Sequence, residues 1–378
     1  MSKTQKSESD YSLQTHSGYE FPAPLLPYLP PKPKSYHPKI GLIGCGGITK
    51  THLSIYKKQG FDVVALCDKR EQNARDRQEE FFPDAAVFTD PAALLARDDI
   101  EVVDIATYPN ERVPVVRAAL EAGKHVLSQK PFVLDLDTGE ELVALAESVG
   151  RKLAVNQNGR WAPHFAYIRE AIRADLIGKT IASHLQVHWD HTWVADTAFE
   201  KIEALVLYDF AIHWFDATHS FWGGQKAQRV FATKTRVAGQ IMAPPMAAQV
   251  LIEYEHGQAS LVFDAHQKFG ALDASYIGGT KGTLTSSGPN LGEQKVTLFN
   301  ESGHASPDLQ GTWFPDGFAG TMGELLCAIE ENREPQNSAR DNLSSLALCF
   351  AAIQSSFDGQ PHIPGEVRAL PLGAVPAK

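Results

Sequence analysis

The chain has 378 residues, enough for about two domains of ordinary size, and its 43% hydrophobic, 21% charged and 9% aromatic content is globular rather than disordered or fibrous. A net charge of -10 excludes a general attraction to phosphate backbones or anionic membranes, so neither nucleic acid nor membrane is an expected partner. Cys45, Cys67, Cys327 and Cys349 are scattered without a C-x-x-C pair, which suits buried apolar thiols in a reducing compartment.

The opening segment, Met1 to Asp10, is polar and lacks the apolar stretch of a secretory signal. No apolar run reaches the roughly 20 residues of a membrane helix, and a cytoplasmic protein is expected. Residues 1–38 are predicted to be a proline-rich arm, because Pro22, Pro24, Pro27, Pro30, Pro31, Pro33 and Pro38 forbid helix or central strand. Interleaved Tyr19, Phe21, Leu25, Leu26, Tyr28 and Leu29 call for a protein surface to lie on, its own or a sister subunit's.

From Lys39 short apolar runs alternate with helical stretches, the pattern of a parallel sheet with crossover helices. The predicted strands are Ile40–Ile43, Val63–Cys67, Ala86–Phe88, Val102–Ile105, His125–Ser128 and Leu153–Asn156. Helices are predicted to start near Ile48, Arg70, Asp90, Arg112 and Asp135, with Gly60, Gly123 and Gly150 as stops. Asp90-Pro91 is a start signal, an acceptor at the N-cap before a proline at the first helical position. Beyond Gly159 come a helix over Phe165–Asp175 and alternating stretches Ile181–Trp189, Arg229–Val237, Gln249–Tyr254 and Ala259–His266, the last two joined at His256-Gly257. Their β-branched and aromatic content predicts a mostly antiparallel sheet. Helices over Gly317–Asn332 and Arg340–Phe357 and a loop-like tail complete the chain. The expected division is an arm over 1–38, a dinucleotide-binding doubly wound α/β domain over 39–158, a substrate-binding and oligomerisation α/β domain over 159–360, and a tail over 361–378.

In Gly41-Leu-Ile-Gly44-Cys45-Gly46-Gly47-Ile48-Thr49 a strand runs into glycines and then a helix. Such a turn lets the backbone approach a pyrophosphate at the positive helix end. Thr49 stands where the fingerprint has its third glycine. Asp68, ending the next strand, suits the adenosine ribose hydroxyls and repels a 2'-phosphate, so NAD is expected ahead of NADP. Lys69 and Arg70 beside it could instead pair with that phosphate.

The residues Gly44-Cys-Gly-Gly-Ile48, Tyr108-Pro109-Asn110, Ala122-Gly-Lys-His-Val-Leu-Ser-Gln129-Lys130-Pro131 and Asp209-Phe-Ala-Ile-His213 together resemble the Gfo/Idh/MocA family of glucose-fructose oxidoreductases and inositol dehydrogenases. The resemblance runs from about Lys39 to Phe357. It implies a Rossmann domain paired with an open-sheet α/β domain, and oxidation or reduction of a hydroxyl-bearing carbon of a sugar or cyclitol. Two positions depart from the family pattern: Gln129 replaces the acid of Glu-Lys-Pro, and Val113 replaces a frequent histidine. The resemblance implies that Thr107, Pro109, Asn110, Gln129, Lys130 and Asn158 line the cofactor, and that Arg160 belongs to the domain crossing.

Oxidising a secondary alcohol needs a base for the hydroxyl proton, and a group titrating near neutral pH suits it. His213 can serve as that base, with Asp209 four residues earlier on the same helical face to orient the imidazole or hold a neighbouring hydroxyl. Asp216 is a possible second orienting acid. Lys130, leaving the fifth strand, can stabilise the developing alkoxide. Asn158 and Trp161 are candidates to contact nicotinamide or sugar, and Arg160, Trp161 and His191 are candidate substrate contacts. In His184-Leu-Gln-Val-His188-Trp-Asp-His191, strand alternation puts His191 opposite the other two histidines, which favours a substrate rim over a metal site. Three functions use these parts: reversible NAD-dependent oxidation of a secondary hydroxyl, redox-neutral glycoside cleavage through a transient ketone, and a non-catalytic dinucleotide sensor. A homo-oligomer, dimer or tetramer, is expected.

Overall fold

The computed structural model describes residues 18–375. The polar opening segment therefore lies outside the described residues. The first strand is β1 (Tyr19–Glu20). The Rossmann unit follows as β2 (Lys39–Ile43), α1 (Thr49–Gln59), β3 (Asp62–Cys67), α2 (Glu71–Phe81), β4 (Ala86–Phe88), α3 (Pro91–Leu95), β5 (Ile100–Ile105), α4 (Pro109–Glu121), β6 (His125–Gln129), α5 (Leu136–Ser148) and β7 (Leu153–Asn156). All pairings in this sheet are parallel, in the order β4-β3-β2-β5-β6-β7. The order reverses between β2 and β5, which places a ligand crevice at their carboxyl ends. Local chemistry sets the boundaries: Asp90 accepts the Ala92 N–H at 3.0 Å, and Gly60 closes α1 at φ 76°.

A 3-10 turn over Asn158–Trp161 leads to α6 (Pro163–Arg173), β8 (Thr180–His188), a π turn over Val206–Phe210, α7 (Ile212–Phe221), β9 (Ala227–Thr235), β10 (Ala247–Tyr254), β11 (Gly257–Asp264), β12 (Leu272–Gly279), β13 (Gly282–Asn290), β14 (Glu293–Asn300), β15 (Gly303–Ala305), α8 (Asp316–Glu330) and α9 (Ala339–Asp358). The second sheet has nine strands in the order β1-β15-β14-β13-β12-β8-β11-β10-β9. It is antiparallel except for β11 on β8 and β1 on β15. His256 lies in the tight β10–β11 hairpin, where Tyr254 pairs with Gly257. One sheet face packs on helices; the other presents the row Phe231, Leu251, Ser260, His184, Tyr276, Thr285 and Thr297.

Strands β12 to β15 extend the sheet beyond the stretches predicted from alternation. Helix α8 comes from the second half of the chain yet buries Phe318, Met322, Leu325 and Leu326 with Ile40, Leu42 and Leu53 of the Rossmann unit. The described part of the arm lies on its own chain. Tyr167 Oη donates to Pro24 O at 3.1 Å, and the Glu330 carboxylate accepts the backbone N–H groups of Lys34, Ser35 and Tyr36. The tail returns to the Rossmann unit, where Leu136 N–H donates to Arg368 O at 2.7 Å. Among the described residues no helix is long and apolar enough to cross a membrane.

Candidate active site

The turn after β2 is built for close approach. Gly44 sits at φ +93°, and a Cβ there would lie 2.9 Å from the Ala106 carbonyl carbon and 3.0 Å from Thr107 N. At Gly46 and Gly47 a Cβ would meet nothing within 4 Å, so this side of the loop is open. Helix α1 begins there with no side-chain cap and no acid in its first turn. Its free N–H groups and positive end thus face an open cradle, which fits a dinucleotide pyrophosphate. Ile48 is the cap residue, and Thr49, buried in place of the third glycine, donates its hydroxyl to Gly46 O at 2.6 Å. Asp68 Oδ2 accepts Cys45 N–H at 2.8 Å; its Oδ1 accepts Arg70 N–H at 2.9 Å and Asn73 Nδ2 at 3.2 Å. A carboxylate has about four acceptor positions, so room remains for a ribose hydroxyl. Lys69 is engaged with Glu111 at 2.9 Å, while the Arg70 side chain is exposed.

Past β5, Thr107 is half-buried, and Pro109 and Asn110 open α4 three residues earlier than expected at Arg112. Arg112 was not foreseen as a site residue. Its buried guanidinium donates to the carbonyls of Thr107, Gln129 and Pro131, tying the turn after β5 to the turn after β6.

At that second turn the Lys130 ammonium crosses to the other domain. It donates to Asp209 O at 2.8 Å and Asp209 Oδ1 at 3.1 Å. His213 lies in the first turn of α7, its ring edge-on to Trp313 at 5.3 Å. Trp313, also unforeseen, donates Nε1–H to Asn158 Oδ1 at 2.6 Å. Gly159 makes this packing possible: a Cβ there would stand 3.0 Å from Trp313 and 3.4 Å from His213 Cβ. Burial, reinforced by the Lys130 charge, holds His213 well below the ordinary imidazole range, so its ring is an acceptor at neutral pH. His191 is buried beside the same groups, stacked on Trp189 and tilted against Phe210, and accepts Trp193 Nε1–H at Nδ1, 3.2 Å away. Burial pulls it down to about 4, with Asp209 opposing and Lys130 adding.

Three expectations are corrected. Asp209 and His213 do not share one α-helical face: Asp209 belongs to the π turn Val206–Phe210 and α7 starts only at Ile212. The wider π spacing turns the carboxylate to Lys130, and no Asp209–His213 hydrogen bond forms among the described residues. Asp216 does not orient His213. It is 1% exposed and binds Arg160 at 2.6 and 2.8 Å and Ser345 Oγ at 2.8 Å. Arg160 and Trp161, expected as substrate contacts, are enclosed by protein. Arg160 is closed in by Asp216 and Asp341, and Trp161 is wedged where a Cβ on Gly320 would fall 2.1 Å from its ring. The side chains of Gln129 and Asn158, expected beside the cofactor, are both buried and turned to protein partners. His184 and His188 face Ser260 and Asp264 on the sheet.

Residues 38–157 match the family model described as an oxidoreductase family with an NAD-binding Rossmann fold, and residues 169–363 match its C-terminal alpha/beta domain. The chain is 28% identical over 344 residues to D-apiose dehydrogenase of Paraburkholderia graminis, covering 85% of this chain and 88% of that protein. It is 23% identical over 325 residues to inositol 2-dehydrogenase of Rhizobium meliloti, covering 84% and 96%. An oxidoreductase from Agrobacterium radiobacter, solved with NAD+, L-tartaric acid and magnesium, superposes at a TM-score of 0.78 with 21% identity, covering 87% of this chain and 99% of that one. With both domain models matched in order across most of its length, the chain belongs to the Gfo/Idh/MocA family of oxidoreductases with an NAD-binding Rossmann domain.

Proposed function

We propose that this protein uses NAD to oxidise, reversibly, a secondary hydroxyl of a sugar, glycoside or cyclitol to a ketone. The observation that carries the reading is the meeting of Lys130 with Asp209, 3.1 Å apart across the two domains, beside the neutral His213 ring. In this reading bound NAD supplies the hydride acceptor. His213 takes the hydroxyl proton, and the Lys130 ammonium stabilises charge developing on the reacting oxygen. Asp209 aims Lys130 and offers its other oxygen to a neighbouring substrate hydroxyl. Gly44, Gly46, Gly47 and Ile48 hold the pyrophosphate, and Asp68 the ribose hydroxyls, which favours NAD over NADP. The names of the D-apiose and inositol dehydrogenase relatives support a polyhydroxylated substrate.

The same reading has a homo-oligomer, supported by exposed Phe231, Leu251 and Tyr276 on the outer face of the nine-stranded sheet. A cytoplasmic location is supported by four buried cysteines, all free thiols. The test is incubation with NAD and a panel of aldoses, cyclitols and glycosides, following cofactor absorbance and analysing products. NADH appearing with a keto product supports oxidation. Free aglycone without NADH would make the chain a redox-neutral glycoside-cleaving enzyme, and NAD binding without turnover on any substrate would favour a sensor.

A further inference from the structure

Beneath Lys130 lies a closed polar chain that the reaction as proposed does not use. His52 and Tyr56 of α1, Asp104 of β5, Asn156 of β7 and Thr321 of α8 are all 0% exposed, and Gln129 of β6 is 6% exposed. His52 Nδ1 is 2.7 Å from Asp104 Oδ2, which also accepts the Tyr56 hydroxyl at 2.8 Å. His52 Nε2 is 3.1 Å from Gln129 Nε2 and 3.2 Å from Asn156 Nδ2. Gln129 Oε1 accepts the backbone N–H of Lys130 at 2.7 Å.

Donor and acceptor roles follow from one fixed point. The Lys130 N–H can only donate, so the Gln129 oxygen must face it and the Gln129 NH2 must face His52. Nε2 of His52 is therefore the acceptor, the ring proton sits on Nδ1, and Asp104 receives it. The Phe318 ring, 4.8 Å from the imidazole, closes the chain from the α8 side. Asp104 Oδ2 takes the bonds from both His52 and Tyr56 while its buried Oδ1 has no partner among the described residues, and bonds between buried polar groups such as these hold one geometry because an unmade bond among them is costly.

We propose that His52 and Gln129 are positioning residues for Lys130: the chain Asp104–His52–Gln129 holds the Lys130 backbone at the end of β6 so that its ammonium reaches Asp209. The inference rests on the role given to Lys130 above. It also gives the Gln129 replacement a physical content. A glutamate at this place would still accept the Lys130 N–H, but its second oxygen would need a proton between it and His52 Nε2, carried by the ring or by the carboxyl. The glutamine permits the singly protonated ring without it.

The test uses the full-length protein with Gln129→Met, Gln129→Glu and Lys130→Met. Gln129→Met keeps bulk and removes both bonds, so turnover should fall roughly 10- to 100-fold while NAD affinity stays within about twofold. Gln129→Glu should restore most of the turnover. Nitrogen-15 NMR of the His52 ring should show a protonated Nδ1 and an unprotonated Nε2 in the unmodified protein, and an Nε2 signal displaced in Gln129→Glu, where an extra proton lies between ring and carboxyl, a signature that packing alone would not produce. A protonated Nε2 in the unmodified protein, or unimpaired turnover in Gln129→Met while Lys130→Met is inactive, overturns the positioning role. Unimpaired turnover in Lys130→Met itself would overturn the role given to Lys130, whatever the His52 signals show. If Gln129→Met does not fold, the His52 signals in the other proteins decide.

Discussion

The Lys130 ammonium lies 3.1 Å from Asp209 Oδ1 and 2.8 Å from the Asp209 carbonyl, joining the end of a Rossmann strand to the π turn of the second domain. His213 feels that cation: burial first, then Lys130, push its pKa well below 6.5. A base held down in this way is already unprotonated at neutral pH. The acidic limb of kcat/KM belonging to His213 should therefore fall well below the ordinary imidazole range. Lys130→Met removes one of the two causes, so the limb should move up in pH as turnover drops. A limb that stays in place in that variant would show that the Lys130 charge does not reach His213.

The proposed preference for NAD places the choice of cofactor on Asp68. Its carboxylate already gathers Cys45, Arg70 and Asn73, so it is fixed in place at the end of β3. Titration should show NAD bound several-fold more tightly than NADP, with Asp68→Asn removing most of that preference. Equal affinities in the unmodified protein would mean that the exposed Arg70 governs the choice.

Arg160 is placed to hold the domain crossing together. Asp216→Asn leaves its guanidinium, 5% exposed as a residue, without one of its two carboxylates. Breaking such a pair costs about 3–5 kcal/mol, so the melting temperature should drop clearly while KM for the sugar changes little. An unchanged melting temperature with a raised KM would return Arg160 to the substrate.

Acid should destabilise the fold through its buried histidines. Burial holds His164 at about 3 and His125 and His191 at about 4, with His213 low as well. The unfolded chain protonates these rings near pH 6.5 and the folded chain does not, so their contribution is present above about 6.5 and lost as pH falls toward 3 to 4. Asp273, raised by burial to about 7, works oppositely, its contribution fading as pH rises. Four histidines against one aspartate give a melting temperature that falls between about pH 7 and pH 5. His164→Leu should flatten that slope; an unaltered slope would show that His164 is not the unpartnered ring described by its two nitrogens.

The Rossmann half was legible because its signals are local. Apolar runs mark buried parallel strands, Asp90-Pro91 caps a helix, and the residues around Gly44 fix a turn whatever else the chain does. Strands β12 to β14 were not, because Gly278, Gly279, Gly282 and Gly288 and inward-facing Asp273, Ser275 and Ser286 blunt their alternation. The partner of α8 was equally hidden, since an apolar helix face does not say which core it enters. Lys130, Asp209 and His213 meet in the fold from separate motifs, but spacing alone cannot separate an α turn from a π turn, so the shared helical face expected of Asp209 and His213 does not form. Arg112 and Trp313 carried no sequence signal: the first depends on three carbonyls that meet only in the fold, and the second reaches His213 from a distant segment.

In the proposed NAD-dependent hydroxyl oxidation, Lys130 and His213 act on the reacting oxygen. The most direct test is the rate of NADH formation on one accepted sugar, measured beside NAD affinity, for the unmodified protein, His213→Ala and Lys130→Met. His213→Ala should lose about 10²–10⁴ in rate and Lys130→Met a comparable amount, with NAD affinity within about threefold in both. Full turnover in either variant, with NAD still bound, would contradict these roles.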